Sequence, residues 1–302
     1  MIRATVIIVL VLSLLFAASC IHKPDISVAP QGDNYPPQIA SIFLAKCATA
    51  GCHNSASYQN AAGLLLDSWD NLFKGDVNGA EVVAYNTKFS TLLYYVNRDS
   101  SLGIVANDPG HLPTPLSHNE YMALYNWIAT GAPDKNGNIP FASNASTRQK
   151  IYLTNQGCDV MAVIDAKSKL VMRYIPIGDG TDGAPHDVAI TSNGLYAYVP
   201  FYNGSYVEKI DTRTDTVVGS VNIGKVAGDG TGGGWSIAIL SPLDTAFMVS
   251  GWTSPGYVVT VNTATMQINP NLSVDVYTGG MNCLLIHTDW KLILLLTPFM
   301  LY

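Results

Sequence analysis

Residues 151–178 read IYLTNQGCDVMAVIDAKSKLVMRYIPIG, and residues 197–224, 46 positions on, read AYVPFYNGSYVEKIDTRTDTVVGSVNIG. Tyr152 and Tyr198, Asp165 and Asp211, and Gly178 and Gly224 all fall at that same offset of 46. A third, longer copy carries Phe247-Met248-Val249 and Val261-Asn262, with Asn262 lying 51 residues after Asp211. Each copy holds short runs rich in Val, Ile and Tyr, bounded by Gly, Asn and Asp, which is the pattern of strands separated by tight turns. A repeat of roughly 40–50 residues containing several short strands is the mark of a β-propeller, in which each unit is a four-stranded blade.

The connections repeat as well. Gly178-Asp179-Gly180-Thr181-Asp182-Gly183 matches Gly228-Asp229-Gly230-Thr231-Gly232-Gly233, 50 residues on. The first loop has some look of a calcium loop, but the downstream bidentate Glu is absent, so both read as blade connections. His186 follows the first loop and Trp235 the second, which predicts that both project from one propeller face, a docking surface for a neighbouring domain. The repeats resemble the YVTN-type propeller repeats of exported bacterial proteins over about residues 148–280. That resemblance implies a fold and says almost nothing of function. A propeller closes with about 4–8 blades, whereas residues 148–302 supply about three and the start of a fourth at 281–302. The chain is therefore expected to be a truncated product.

Composition agrees with a β-rich, turn-rich chain. Only 13% of residues are charged, against a globular average of about 25%, while the 302 residues include 26 Gly, 16 Pro and 16 Tyr. The formal net charge of -6 excludes a basic phosphate-binding surface and makes nucleic acid a poor partner. Five cysteines are too few for a disulfide scaffold and call for individual explanations.

The amino terminus is an address. Met1-Ile2-Arg3 precedes an uncharged apolar run from Ala4 to Cys20, too short for the ~20 residues of a bilayer-spanning helix and typical of a secretory signal. Ala17-Ala18-Ser19-Cys20 resembles the lipobox of bacterial lipoproteins, although a Leu is commoner at the position of Ala17. The resemblance implies removal of residues 1–19 and diacylation of Cys20, hence an exported protein held at the membrane by a lipid. Ile21, rather than Asp, implies sorting to the outer membrane. Residues 20–35 read as a tether.

Cys47 and Cys52 are separated by four residues, and His53 follows at once. The pattern is a C-x4-C-H variant of the C-x-x-C-H sequence at which c-type haem is attached. In that chemistry two thiols add across the haem vinyl groups as thioethers, and the adjacent His ligates the iron. A disulfide between the two cysteines in an oxidising compartment remains open, and so does half of a zinc site, although no second Cys pair follows.

The flanking sequence resembles one family of small bacterial cytochrome c domains over about residues 36–135. Gly63-Leu64-Leu65-Leu66, Leu72 and Gly75 match its GLxLxxxxxLxxG segment. Pro113, Leu116 and Trp127-Ile128-Ala129-Thr130-Gly131-Ala132-Pro133 match its MPxxxxLxxxExxxxxxWIxxGAP segment. The resemblance implies a small all-α domain carrying covalent haem c, with His53 as proximal ligand. One departure matters: Leu112 stands where the family has Met, so the usual sixth ligand is missing. His111 is the candidate distal ligand, with Met122 or an open position as alternatives. Ser117 and Glu120 predict a capping box, and the helix it starts is predicted to bury Tyr121, Leu124, Tyr125 and Ile128, with His118 solvated.

The fold class expected is therefore multidomain: a small all-α cytochrome c-like domain followed by an incomplete all-β propeller. The leading functional expectation is a lipid-anchored electron carrier of the periplasm or cell surface, whose propeller docks a redox partner protein. A haem-dependent oxidoreductase acting on a small oxidant and a surface adhesion propeller with ancillary haem are the alternatives. A cytochrome c domain joined to a propeller is similar in architecture to the haem-containing nitrite reductases of denitrifiers, a likeness that transfers no residue.

Overall fold

The computed structural model describes residues 34–103, 115–142, 148–180, 183–224, 235–251, 256–270, 274–276, 283–286 and 292–295. Cys20, His111, Leu112 and the loop 228–233 lie outside the described residues, as do the lipobox and the signal sequence.

The second half is a series of antiparallel meanders. Strands β1 (Lys150–Asn155), β2 (Val160–Asp165) and β3 (Val171–Pro176) form one sheet. Strands β4 (Ala189–Ile190), β5 (Tyr196–Pro200), β6 (Tyr206–Asp211) and β7 (Thr216–Asn222) form the second, in that order. In the third, β8 (Trp235–Leu240), β9 (Ala246–Gly251) and β10 (Gly256–Asn262) continue to an outer edge made of two pieces, β11 (Gln267–Ile268) and β12 (Val274–Val276), both paired with β10. Residues 281–302, read as the start of a fourth unit, contribute a hairpin of β13 (Cys283–Ile286) and β14 (Leu292–Leu295).

The repeat is legible in physical terms. Asp165, Asp211 and Asn262 each end a strand, and each side chain accepts from the backbone of the following turn: from Ser168 N at 2.8 Å, Arg213 N at 2.8 Å and Ala264 N at 2.9 Å. Four residues after each, Lys169, Asp215 and Met266 adopt left-handed φ of 62°, 54° and 52°, and their amides return to the carbonyls of Asp165, Asp211 and Asn262. The three hairpins are one structure written three times, built on a side-chain acceptor that mimics a backbone turn.

The central sheet is buried on both faces, as strands sandwiched between neighbours must be. Along β5 and just beyond it, Ala197, Val199 and Phe201 join a core with Met161, Val163 and Met172 of the first sheet. The intervening Tyr198 points the other way, into a core with Trp235, Phe247 and Val261 of the third. The period of two along one strand thus feeds two separate cores. The repeated tyrosines tie successive sheets together: Tyr198 Oη donates to Thr263 O at 3.3 Å, and Tyr152 Oη donates to Asp215 Oδ1 at 2.6 Å with Thr212 O 3.3 Å away. Tyr serves here because its ring fills the core while its hydroxyl reaches a strand-end carbonyl.

The first half is built from short helices and turns. Helix α1 (Pro37–Ile42) runs directly into a π-helical turn, Phe43–Cys47, followed by α2 (Trp69–Leu72), α3 (Thr91–Val96) and α4 (His118–Ala129). Tyr35, Phe43 and Trp127 form its aromatic centre, with ring centroids 4.9 Å apart for Tyr35–Phe43 and 6.0 Å for Phe43–Trp127. Tyr35, the last residue of the expected tether, is thus part of this core. The Trp-Ile-x-x-Gly-Ala-Pro stretch closes it. Trp127 Nε1 donates to Pro133 O at 2.8 Å, and Trp69 Nε1 to Ala132 O at 2.9 Å. Gly131, at φ 104°, has Tyr85 so close that a Cβ would lie 2.6 Å from its ring.

Helix α4 begins with the predicted capping box: Ser117 Oγ accepts from Glu120 N, and the Glu120 carboxylate accepts from Ser117 N. Its buried stripe differs from the expected one. Tyr121, Leu124, Trp127 and Ile128 are buried, whereas Tyr125 is 38% exposed. At ~100° per residue the apolar stripe is centred near Leu124, which brings Trp127 in and turns Tyr125 out.

The halves meet at the outer edge of the first sheet. Phe89 packs on Tyr174 of β3 at 4.6 Å between centroids, and Leu170 approaches Gly75, where a Cβ would lie 2.8 Å from its Cδ2. The expected docking face at His186 and Trp235 is corrected. Trp235 is 2% exposed and donates its Nε1 to Gly224 O at 3.0 Å, so it is a core residue. His186 is exposed, flanked by Gln156 and Tyr202, so the buried Trp235 does not join it at the surface.

Candidate functional site

The site begins where α1 ends. The π-helical turn places Cys47 in the core at 5% exposure, and the four residues to Cys52 are absorbed by a tight reversal. Cys52 N donates to Thr49 O at 3.0 Å and His53 N to Cys47 O at 3.1 Å, with Gly51 at φ 82° at the bend. Glycine suits that bend because left-handed backbone carries no Cβ penalty there. Asn54 locks the next turn: its Oδ1 accepts from Ala56 N at 2.9 Å and Ser57 N at 3.0 Å, while its Nδ2 donates to Thr49 O at 2.8 Å.

Cys47, Cys52 and His53 all line one cavity of about 450 Å³. That volume falls in the ~300–1,000 Å³ range of small-molecule and cofactor sites. Leu64, Leu66, Leu92 and Val96 give it apolar walls, and Asp76, Asn78 and Glu81 form a polar one. His53 Nδ1 lies 3.0 Å from Leu64 O. A carbonyl only accepts, so Nδ1 is protonated, the orientation in which the neutral ring would present Nε2 as the acceptor or ligand nitrogen.

Electrostatics divide the cavity. Burial, reinforced by nearby Cys52, pushes the Cys47 thiol up to about 12, so it is neutral. Burial also raises the Glu81 carboxyl, and Asp76 adds to the rise. Lys46 turns to α4, donating to Glu120 at 2.7 Å and to Pro115 O at 3.1 Å. That contact, with the Ser117 backbone and hydroxyl bonds, holds Glu120 at about 2. A carboxylate depressed on folding contributes fully above its unfolded value near ~4.3, and the contribution is lost as pH falls through the folded value. Acid unfolding should therefore show a component between about pH 4.3 and 2, and Lys46→Met should shrink it. An unchanged acid profile in that variant would refute the link.

The three motif residues predicted from sequence are thus brought together at one cavity. Cys47, Cys52 and Cys158 are free thiols, and no group of three or more metal-ligating side chains occurs among the described residues. Met122 packs against the helical core and is not among the cavity's lining residues. Sequence reading missed Asn54, Asp76 and Glu81. Asn54, next to the motif and a turn former, offered a local signal; the two carboxyls meet only through the fold.

No family model matches this sequence, and no curated protein matches it. Among solved structures it is similar to the hydrazine synthase of Kuenenia stuttgartiensis, at 20% identity and a TM-score of 0.40, over 47% of this chain and 38% of that one. It is also similar to a dihydro-heme d1 dehydrogenase in complex with DHE (15% identity, TM-score 0.36, 44% of this chain and 26% of that one). The periplasmic gluconolactonase of Pseudomonas aeruginosa follows (12% identity, TM-score 0.37, 47% of this chain and 42% of that one). The chain spans less than half the length of each.

Proposed function

We propose that this chain is an exported electron-transfer protein that binds haem c covalently through Cys47 and Cys52, with His53 as proximal iron ligand. The observation that carries the reading is the convergence of both thiols and the oriented imidazole on one largely apolar cavity. These residues fit the group: two thiols at the cavity, a histidine whose Nδ1 is turned to the Leu64 carbonyl so that Nε2 is the nitrogen left for iron, and aliphatic walls. Bound there, haem would supply one-electron iron redox chemistry.

The chain's own contribution is positioning and exclusion. Leu64 does both, its side chain lining the cavity and its carbonyl orienting His53. Leu66, Leu92 and Val96 exclude water, and Asn54 fixes the turn beyond the imidazole. His111 remains the proposed distal ligand from sequence. Diacylated Cys20 would hold the protein at the membrane, facing the periplasm or the cell surface, and the propeller repeats would dock a redox partner protein.

The absorption spectrum of the chain expressed with export and haem-attachment machinery tests this reading. Expected is a Soret and α/β spectrum that survives denaturation as a pyridine haemochrome of the covalent type, at one haem per chain. Exported, folded protein without covalent haem would overturn it.

A further inference from the structure

Glu81 has no place in haem attachment, yet it stands in the cavity wall at 6% exposure. Its surroundings are built. Thr91 Oγ1, in the first turn of α3, donates to Glu81 Oε2 at 2.7 Å, and Leu92 N donates to the Glu81 carbonyl at 3.1 Å. Asp76 lines the same wall, and its nearby charge adds to the rise that burial gives the Glu81 carboxyl.

Asp76 is fixed in place: its Oδ1 accepts from Asn78 N at 2.6 Å and Gly79 N at 2.9 Å, and its Oδ2 from Asn78 Nδ2 at 3.3 Å. Glu81, desolvated and near that carboxyl, is the group whose affinity for a proton is raised. The other titratable or charged groups lining the cavity are Lys46, Cys47, Cys52, His53 and Tyr95. Lys46 gives its ammonium to Glu120 and the Pro115 carbonyl, so its charge is directed away from Glu81.

We infer that Glu81, buried in the cavity wall it shares with Asp76, is the proton-binding site that couples electron transfer to proton uptake at this cavity. The inference rests on the haem reading above and adds a reaction to it. An electron delivered to a group held in this cavity by a one-electron donor protein would add one negative charge to a low-dielectric site, and the Glu81 carboxylate would take one proton from solvent. When a one-electron acceptor reoxidises the site, the electron leaves and Glu81 returns the proton. Charge balances at each step, and no bond other than O–H changes.

The test is a potentiometric titration of the haem-loaded chain from the ordinary carboxylate range upward, the direction in which burial carries Glu81. The parent potential should fall as pH rises, by about 59 mV if the proton affinity differs tenfold between oxidation states. Glu81→Gln keeps the acceptor for Thr91 but cannot ionise, so its potential should stay at the parent's low-pH value throughout. Thr91→Val keeps the carboxyl, removes a bond that favours its anion, and should move the sloping region to higher pH. In parent protein the reduced-minus-oxidised infrared spectrum should show a protonated-carboxyl band that Glu81→Gln lacks. A flat parent titration, or an equal slope in Glu81→Gln, overturns the inference. Haem stoichiometry is measured first. Haem-free protein overturns the haem reading and the inference together, whereas a flat titration at one haem per chain overturns only the inference.

Discussion

Replacing both Cys47 and Cys52 with Ser should reduce covalently attached haem at least tenfold, to the background of an extracted, non-covalent pigment. The two thiols are the only ones at the cavity among the described residues, since Cys158 is exposed in the turn between β1 and β2. The single variants separate attachment from folding. Cys47 is buried, and a hydroxyl left unpaired there costs about 1–3 kcal/mol. Cys52 is only half-buried, so Cys52→Ser should fold normally while losing one thioether. Pyridine haemochrome after acid–organic extraction reads the difference. Full covalent haem in the double variant would show that the attachment chemistry lies elsewhere. His53→Ala is the companion: with the cysteines intact, haem still attaches, but the spectrum loses its histidine-ligated form.

The second large effect is expected far from the cavity. Asp215 is fully buried between the first two sheets, and three groups converge on its carboxylate. Lys150 Nζ lies at 2.9 Å, Tyr152 Oη at 2.6 Å and Arg173 Nε at 3.4 Å. Burial, and then the bond to Asp215, pushes the Tyr152 phenol far above its usual range, so it is a permanent donor here. Asp215→Ala leaves Lys150, itself only 5% exposed, as an uncompensated buried charge. Breaking such a pair from one side costs about 3–5 kcal/mol. At roughly 2–4 °C per kcal/mol for a chain of this size class, thermal unfolding should drop by about 6–20 °C. Asp215→Asn should fall between, because it keeps the left-handed turn at φ 54° that Asn tolerates but loses the charge. A loss under about 1 kcal/mol in Asp215→Ala would mean that the ion cluster is not what joins these sheets.

What the sequence reveals is what local physics encodes. The repeats are visible because Asp165, Asp211 and Asn262 must each satisfy the same turn amides, and because Tyr152 and Tyr198 make the same reach to the next sheet. The capping box of α4 is visible because Ser117 and Glu120 bond each other three residues apart. Cys47, Cys52 and His53 are visible because they lie within seven contiguous residues, so their spacing is read directly from the chain. What stays hidden is non-local. Tyr125 and Trp127 both suit a buried helix face, and only the packing of Phe43 and Tyr35 decides that Trp127 fills it. Trp235 after a glycine-rich loop looks like a surface anchor until its indole N–H is seen to reach Gly224 O. The ion cluster brings Asp215 to Lys150 and Tyr152, more than 60 residues away in the chain. Glu81 carries no signal at all until Asp76, Thr91 and the cavity surround it.

Peptide mass spectrometry of the exported chain tests the central claim most directly. The account predicts that the peptide spanning Cys47 to His53 carries the added mass of one haem on its two cysteines, with no haem on Cys158. The same peptide recovered unmodified, or closed by a Cys47–Cys52 disulfide, from folded and exported protein would contradict it.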